Sequence, residues 1–376
     1  MSRPINVLEC IRQGQIGGGE SHLLSLMENI DRSKFHPVVL SFTDGPMVER
    51  LRAMGIETEV IYTEKPFDIS KWGRVKKFIK SHNIDIVHAH GTRANSNVLW
   101  ASRSLGLPVA YTVHGWSFHQ DQSFLVRTLR TLGEKYLTRK STVNISVSAS
   151  NQQSGKEVIP SFESIVINNG IDQKKFNRDN HFADIRKELG LSAETILVLF
   201  IARFTSHKQP LRLIEAFEKA QKELPGMHLL LVGEGDQRPE AVKMVGEMKL
   251  QDRISLWPFR LDVPDILAAA DIFVLPSLWE GLPIGLLEAM SMGKAVLATR
   301  VDGTKEVVQN GRNGILVETT DLVNDLSSAL VRLAGDASLR KELGQHAMET
   351  VNERFNAAVM TRSIEAVYQN MFDNKK

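Results

Sequence analysis

Short runs of consecutive apolar residues recur along the chain, separated by longer stretches with helical apolar spacing. In the first half the runs are 5–8, 38–42, 56–61, 84–87, 109–113 and 143–147; in the second they are 196–201, 228–232, 254–256, 272–275, 295–298 and 315–317. Strands that are apolar throughout, rather than alternating, belong to parallel sheets covered on both faces by helices. Two such sets predict an α/β protein of two Rossmann-like, doubly wound domains. The turn-forming Asn168-Asn169-Gly170-Ile171-Asp172, with polar residues through Asn180, marks the link between them. From about Asp321 to Asn370 the chain is helical in character. The expected divisions are 1–175, 176–355 and a last helical segment, 356–376.

Composition agrees with this picture. At 376 residues the chain exceeds what one core supports, and 42% hydrophobic with 24% charged residues argues against disorder. One cysteine, Cys10, makes no internal disulfide framework, fits a reducing compartment, and is expected to be packed in a core. The N-terminus has no apolar signal region, and no run approaches the roughly 18–20 apolar residues that span a bilayer. A cytoplasmic protein, peripheral to the inner face of the membrane at most, is expected. Charge is uneven: residues 1–180 hold 23 Lys/Arg against 17 Asp/Glu, a balance of +6, and the rest hold 23 against 27, a balance of −4.

Open α/β sheets bind ligands beyond the carboxyl ends of their strands, so the residues following each run are the candidates. After the first run, Gly17, Gly18 and Gly19 precede a helix, where backbone N–H groups can approach an anion or simply form a flexible turn. Their spacing is not that of a dinucleotide fingerprint. His88 and His90 end the fourth run, and His114, with His119 beyond, follows the fifth. They lie on separate strands with no cysteine or acidic ligand spacing, so no metal site is expected. His88 reads as a hydrogen-bonded core histidine, whereas His90 and His114 stand where a strand end opens.

In the second half Arg203 and Lys208 lie on the loop before a helix, arranged either as an anion site or as a surface charge pair. Gly233-Glu234-Gly235 forms a tight turn after the next strand. In the stretch 276–290, Pro283 suits a first helical turn, which leaves Glu280 on the preceding loop and Glu288 about one and a half turns in. A carboxylate on that apolar face can take both hydroxyls of a ribose diol, or be an ordinary salt-bridged glutamate. No Asp-x-Asp pair follows a strand, so a diphosphate would rest on Arg, Lys and helix dipoles rather than on a metal.

Taken together, these residues resemble the family 4 retaining glycosyltransferases (glycosyl transferases group 1), which have the GT-B fold. The shared features are the triple-glycine loop with Glu20, His88-Ala89-His90, Val113-His114-Gly115, Asn169-Gly170-Ile171-Asp172, Arg203 with Lys208, Gly233-Glu234-Gly235, and Glu280 with Glu288. The resemblance covers about residues 5–355 and implies two domains facing across a cleft, with the last helix crossing back to the first. It implies that Arg203 and Lys208 hold the diphosphate and Glu288 the ribose. Glu280 and the backbone of Gly281, Leu282 and Pro283 would hold sugar hydroxyls and phosphates. His114 would touch the sugar near the reacting carbon, and Gly17, Gly18 and Gly19 would close over the phosphates. Gly233 and Phe259 fall on the donor side, Glu20 and His90 on the acceptor side. No cofactor is implied: the nucleotide sugar, UDP favoured over GDP, is a substrate, and transfer retains configuration without a protein nucleophile. The acceptor class is a glycan or lipid-linked glycan, by analogy within polysaccharide or lipopolysaccharide synthesis. Two positions depart from the family pattern, each with a usual glycine replaced: Gln209 after the lysine, and Pro258 near the base pocket.

Other readings remain at this point. A sugar-nucleotide epimerase, a phosphorylase (for which no pyridoxal lysine stands out) and a non-catalytic nucleotide- or glycan-binding protein share the fold. The stretch 124–140 carries Arg127, Arg130, Lys135, Arg139 and Lys140 among helically spaced apolar residues, and 71–80 adds five more cations. They form either a face for anionic lipid or an ordinary solvated one. Nucleic acid is not an expected partner, since aromatics are not interleaved with these charges.

Overall fold

The structure, a computed structural model, describes residues 3–118 and 122–374; His119 lies outside them. The chain forms two compact units, Met1–Gly170 with Ala357–Lys376, and Ile171–Asn356. The first division therefore falls at 170/171 instead of 175/176. Ile171 N–H donates to Phe355 O, and the Asp172 carboxylate accepts from the N–H groups of Lys174 and Lys175, so this turn belongs to the second unit.

In chain order the first unit holds β1 (Ile5–Ile11), α1 (Gly18–Asn29), β2 (Phe35–Ser41), α2 (Pro46–Ala53), β3 (Glu57–Val60), α3 (Ile69–Ser81) and β4 (Ile86–His90). There follow α4 (Thr92–Ser104), β5 (Val109–Val113), α5 (Phe124–Lys140), β6 (Val143–Ser146), α6 (Ala149–Val158) and β7 (Ile165–Val166). The second unit holds α7 (Ile185–Glu188), β8 (Ile196–Ile201), α8 (Pro210–Glu223), β9 (Met227–Val232), α9 (Arg238–Glu247), β10 (Ile254–Trp257) and α10 (Val263–Ala269). It continues with β11 (Ile272–Leu275), α11 (Ile284–Ser291), β12 (Ala295–Thr299), α12 (Asp302–Val307), β13 (Ile315–Val317), α13 (Leu322–Gly335) and α14 (Ala337–Arg354). The last helix, α15 (Ala357–Asp373), returns to the first unit and packs on α1.

Both sheets are parallel, in the orders β3-β2-β1-β4-β5-β6-β7 and β10-β9-β8-β11-β12-β13. Every predicted strand is present. The two-residue edge strand β7 was not foreseen, because two exposed residues carry no periodic signal. The strand order reverses direction between β1 and β4 in one unit and between β8 and β11 in the other, which opens a crevice at the strand ends there. Apolar layers flank both sheets: Leu8, Cys10, Val38 and Tyr111 on one face of the first, Val7, Ile11, Ile86 and Tyr368 on the other, and Phe200, Phe217, Leu229 and Leu297 in the second unit.

Helix α5 reverses the usual pattern. Its buried residues are Glu134, Leu137 and Thr138, whereas Phe124 (86% exposed), Leu125 (67%) and Leu129 (61%) face outward. Glu134 is anchored by Thr92, whose hydroxyl donates to it at 2.6 Å, and by Tyr111 at 2.9 Å. Burial pushes its carboxyl above the usual range.

Candidate functional site

The reversal point of the second unit gathers most of the residues expected on the donor side. The loop after β8 carries Arg203, which is exposed, and Lys208. It is tied down by the turn after β9: Phe204 N–H donates to Glu234 O at 2.8 Å, and Gln237 N–H to Phe204 O at 2.9 Å. This approach requires glycine at both ends of the turn. A Cβ on Gly233 would stand 2.1 Å from Ala202 O, and one on Gly235 2.2 Å from Phe204 O, both at positive φ. Gly233 thus shapes the Arg203 loop.

Lys208 closes a short 3-10 turn, and Gln209, at φ 57° and ψ 41°, is left-handed. This is a conformation that a glycine, which the resemblance would place here, takes without strain. The Lys208 ammonium ion-pairs with Glu280, whose Oε1 also accepts from Ser277 Oγ at 2.6 Å. The Ser277 carbonyl in turn accepts from the Thr299 hydroxyl. His207 stacks on Trp279 at 4.0 Å, and Leu278 N–H donates to His207 O. The loops after β8 and β11 therefore form one assembly, with Lys208 and Glu280 bound to each other. Gly303, at the start of α12, lies against this loop: its N–H reaches Glu280 O at 3.3 Å, and a Cβ would fall 1.9 Å from Gly281 O.

Pro283 caps α11 one residue ahead of its first turn, so Glu288 is the fifth helical residue, about one and a half turns in as expected. Glu288 is half-buried. Burial pushes its carboxyl up to about 7, against the opposing pull of the Lys175 ammonium. Gly281 and Leu282, on the loop ahead of this helix, are buried. Phe259 is set apart: it follows β10, at the sheet edge, two places from β8. Beside it, Arg260 lies over Trp257 and pairs with Glu188 and Asp262.

At the reversal point of the first unit the chemistry is of another kind. Glu9, in the middle of β1, is fully buried. Its Oε1 accepts from the Tyr368 hydroxyl at 2.6 Å, and its Oε2 from His90 Nε2 at 2.9 Å. Burial alone would raise the Glu9 carboxyl, but His88 and His90 outweigh it and hold it well below the usual range. His88 is hydrogen-bonded at both nitrogens, to Tyr368 and Thr112.

An ionised carboxylate only accepts, so His90 presents Nε2–H to Glu9 and its Nδ1 lone pair to His114 Nε2–H, 3.1 Å away. His22, on α1, holds Asn169 Oδ1 through Nδ1 at 2.9 Å. Burial keeps His22 (down to about 3), His90 (down to about 4) and His114 (well below its usual value) as neutral rings. Gly17 caps α1, whose first residues are Gly18 and Gly19. The His114 ring lies against Gly19, 3.4 Å from where a Cβ would stand, an ordinary contact distance. Glu20 is buried and ion-paired with Arg12 at 3.6 Å.

Several of these residues escaped the sequence reading. Glu9 left a signal, a carboxylate inside an apolar run. His22, Tyr368, Ser277, Thr299, Lys175 and Gly303 left none, because each acts through a neighbour distant in sequence.

Models of two known families match the chain: Glycosyltransferase Family 4 over residues 16–175, and Glycosyl transferases group 1 over 195–336. The chain belongs to glycosyltransferase family 4. Similar family members include an Escherichia coli UDP-Gal:alpha-D-GlcNAc-diphosphoundecaprenol alpha-1,3-galactosyltransferase, 27% identical over 96% of this chain and 95% of its own. Another is the N-acetyl-alpha-D-glucosaminyl L-malate synthase of Bacillus anthracis, 26% identical over 84% of this chain and 82% of its own. Among solved structures, Anabaena HepE in complex with UDP and glucose superposes with a TM-score of 0.85 at 22% identity, covering 97% of this chain and all of its own. The family is thus joined by its fold, two Rossmann-like domains of the GT-B type. Among the described residues no helix is long and apolar enough to cross a membrane.

Proposed function

We propose that this glycosyltransferase moves a sugar, with retention of configuration, from a nucleoside-diphosphate sugar to a glycan or lipid-linked acceptor in polysaccharide or lipopolysaccharide synthesis, with UDP favoured over GDP. The observation that carries the reading is the Lys208–Glu280 ion pair on the loops after β8 and β11, the first of which also carries Arg203 and the second of which leads into the helix with Glu288. A diphosphate takes Arg203 and Lys208 as its counter-charges, which frees Glu280 to accept sugar hydroxyls while Ser277 keeps it aimed. Glu288 takes the ribose diol, and Phe259 and Gly233 lie on the donor side. As the glycosidic bond stretches, negative charge grows on the leaving phosphate, where the two cations stabilise it without a divalent metal. The leaving oxygen accepts the acceptor's proton from the same face, so no protein nucleophile is needed. His114 touches the sugar, Gly17, Gly18 and Gly19 approach the phosphates, and Glu20 and His90 lie toward the acceptor. UDP in the names of the E. coli enzyme and the HepE complex supports the base.

The test is thermal shift with UDP, GDP and ADP sugars on the wild type, Arg203→Ala and Glu288→Ala. UDP sugars should raise the wild-type melting temperature most, and both variants should lose most of that rise. Equal responses in all three proteins would refute the donor site.

The outward apolar row of α5, flanked by Arg127, Arg130, Lys135, Arg139 and Lys140, supports peripheral binding to an anionic membrane at the inner face. On this reading charge reversal at Arg127, Arg130 and Arg139 releases the protein from anionic liposomes. Binding that survives the reversal would rule the surface out.

A further inference from the structure

Strands β8 and β11 are neighbours in the second sheet, with Val198 opposite Ile272 and Leu199 opposite Phe273, so the loops that follow them leave the sheet side by side. The two loops are joined at successive residues. Leu278 N–H donates to His207 O at 2.8 Å, and Glu280 pairs with Lys208. Between them the Trp279 ring stacks on that of His207, with centroids 4.0 Å apart and planes 9° from parallel. Each ring therefore stands one residue ahead of a charge expected to meet the donor. We propose that the His207–Trp279 stack is a positioning pair, which holds Lys208 and Glu280 at the spacing that one nucleotide sugar spans, phosphate at the first and sugar at the second. The inference rests on the donor site proposed above and adds to it two residues that act through their neighbours.

The need for such a device follows from the ion pair itself. Lys208 and Glu280 are largely buried, with side chains 16% and 9% exposed, and in this structure they satisfy each other. When a diphosphate takes the ammonium and a sugar hydroxyl takes the carboxylate, that bond is given up. The contact that ties the loops in the free protein is thus lost in the loaded one. What stays must fix both distance and orientation. The Leu278–His207 backbone bond fixes distance but, as a single bond, leaves rotation about it. A ring stack at the next residue blocks that rotation, and it needs no charge that the ligand could draw away.

Each side of the clamp is also held within its own loop. His207 Nδ1 and Thr205 Oγ1 share a hydrogen bond at 3.0 Å, and Lys208 N–H donates to Thr205 O at 2.9 Å. On the other loop Ser277 Oγ donates to Glu280 at 2.6 Å, and the Ser277 carbonyl accepts from Thr299 at the end of β12. The backbone under both charges is thereby fixed, and the exchange of partners is left to the long Lys208 side chain. A fixed spacing raises the local concentration of the sugar at Glu280 once the phosphates are held. UDP, without a sugar, draws only on the Lys208 side of the clamp. Loss of the stack should therefore be felt by a UDP sugar and not by UDP.

The test is titration calorimetry on the full chain with UDP, UDP-glucose, UDP-galactose and UDP-N-acetylglucosamine. The quantity read is the affinity for the tightest of these sugars divided by that for UDP. His207→Ala should lower this ratio about 10-fold, inside the roughly 10²-fold that a misplacement of about 1 Å costs, and should leave UDP binding close to wild type. Trp279→Leu, on the other loop, should do the same, and decides if His207→Ala does not fold. His207→Phe, which keeps a stacked ring, should restore the wild-type ratio. In a Glu280→Gln background His207→Ala should lower the ratio no further, because both changes act on one contact. An unchanged ratio in either ring-deleted variant that folds would overturn the proposal. So would an equal fall for UDP and the UDP sugar, which marks a merely structural pair, or a His207→Phe that behaves as His207→Ala. Wild-type protein that binds none of these ligands would instead refute the donor site, and the role of the stack with it.

Discussion

The two sheets share one winding and place their candidate groups at the same topological position, yet the chemistry there is opposite. At the β8–β11 reversal the groups are charged and partly open to solvent: Arg203, Lys208 and Glu280 on loops held by close backbone contact. At the β1–β4 reversal the charges are enclosed: Glu9 is fully buried against His90 and Tyr368, and Glu20 is buried and paired with Arg12. A site for a diphosphate needs fixed cations that lose little solvation when the ligand arrives. A site for hydroxyls needs hydrogen-bonding groups in a dry setting. The fold fixes the location, and the side chains decide the ligand.

The sharpest way to break this comparison is to remove charge from the second unit. Lys208→Ala should lower turnover by about 10²–10³, the usual cost of one electrostatic contact to a developing oxyanion. A fall of less than tenfold in steady-state assays would mean that the phosphates are held elsewhere. A smaller effect comes from two glycines in the first turns of helices, where helix propensity alone would favour alanine at both. Gly303→Ala drives a Cβ into Gly281 O and should cost about 1–3 kcal/mol in urea unfolding, as overpacking does. Gly19→Ala meets only the His114 ring at ordinary contact distance and should stay within about 1 kcal/mol of wild type. Equal costs would show that the two loops are equally tight.

The smallest effect concerns pH. Glu288 has a folded pKa raised from 4.5 to about 7, so its folded form holds the proton more tightly than the unfolded chain. That contribution to stability is fully present below 4.5 and is lost as pH climbs through about 7. The melting temperature of the wild type should therefore fall relative to Glu288→Gln between pH 5 and pH 8. A constant difference would mean that the carboxyl is solvated. Because a ribose diol donates to the ionised form, UDP affinity should rise over the same interval in the wild type alone.

What could be read in advance follows from the range of the interactions involved. Strands announced themselves because burial on both faces writes a continuous apolar run. Glu280 and Glu288 stood out because a loop and one helical turn are local. Lys208 and Glu280 were each assigned to a ligand, but their mutual ion pair spans 72 positions and needs the β8–β11 neighbourhood to be visible. The same holds for His22 with Asn169 and for Glu9 with Tyr368. Pro283 was placed one residue too far into its helix because proline tolerates both the cap and the first turn. Inside-out α5 read as amphipathic in sequence, and only the anchoring of Glu134 shows which side faces the core.

Tyr368 also bears on the order in which the chain is made. The first unit is discontinuous: residues 171–356 are an insertion within it, and α15 supplies the hydroxyl that Glu9 accepts. During synthesis from the amino end, β1 is made early but the donor to its buried carboxylate follows 359 positions later. The inserted unit, contiguous in sequence, has every residue of its own core before that. The second unit therefore has its whole sequence made before the final helix of the first is reached.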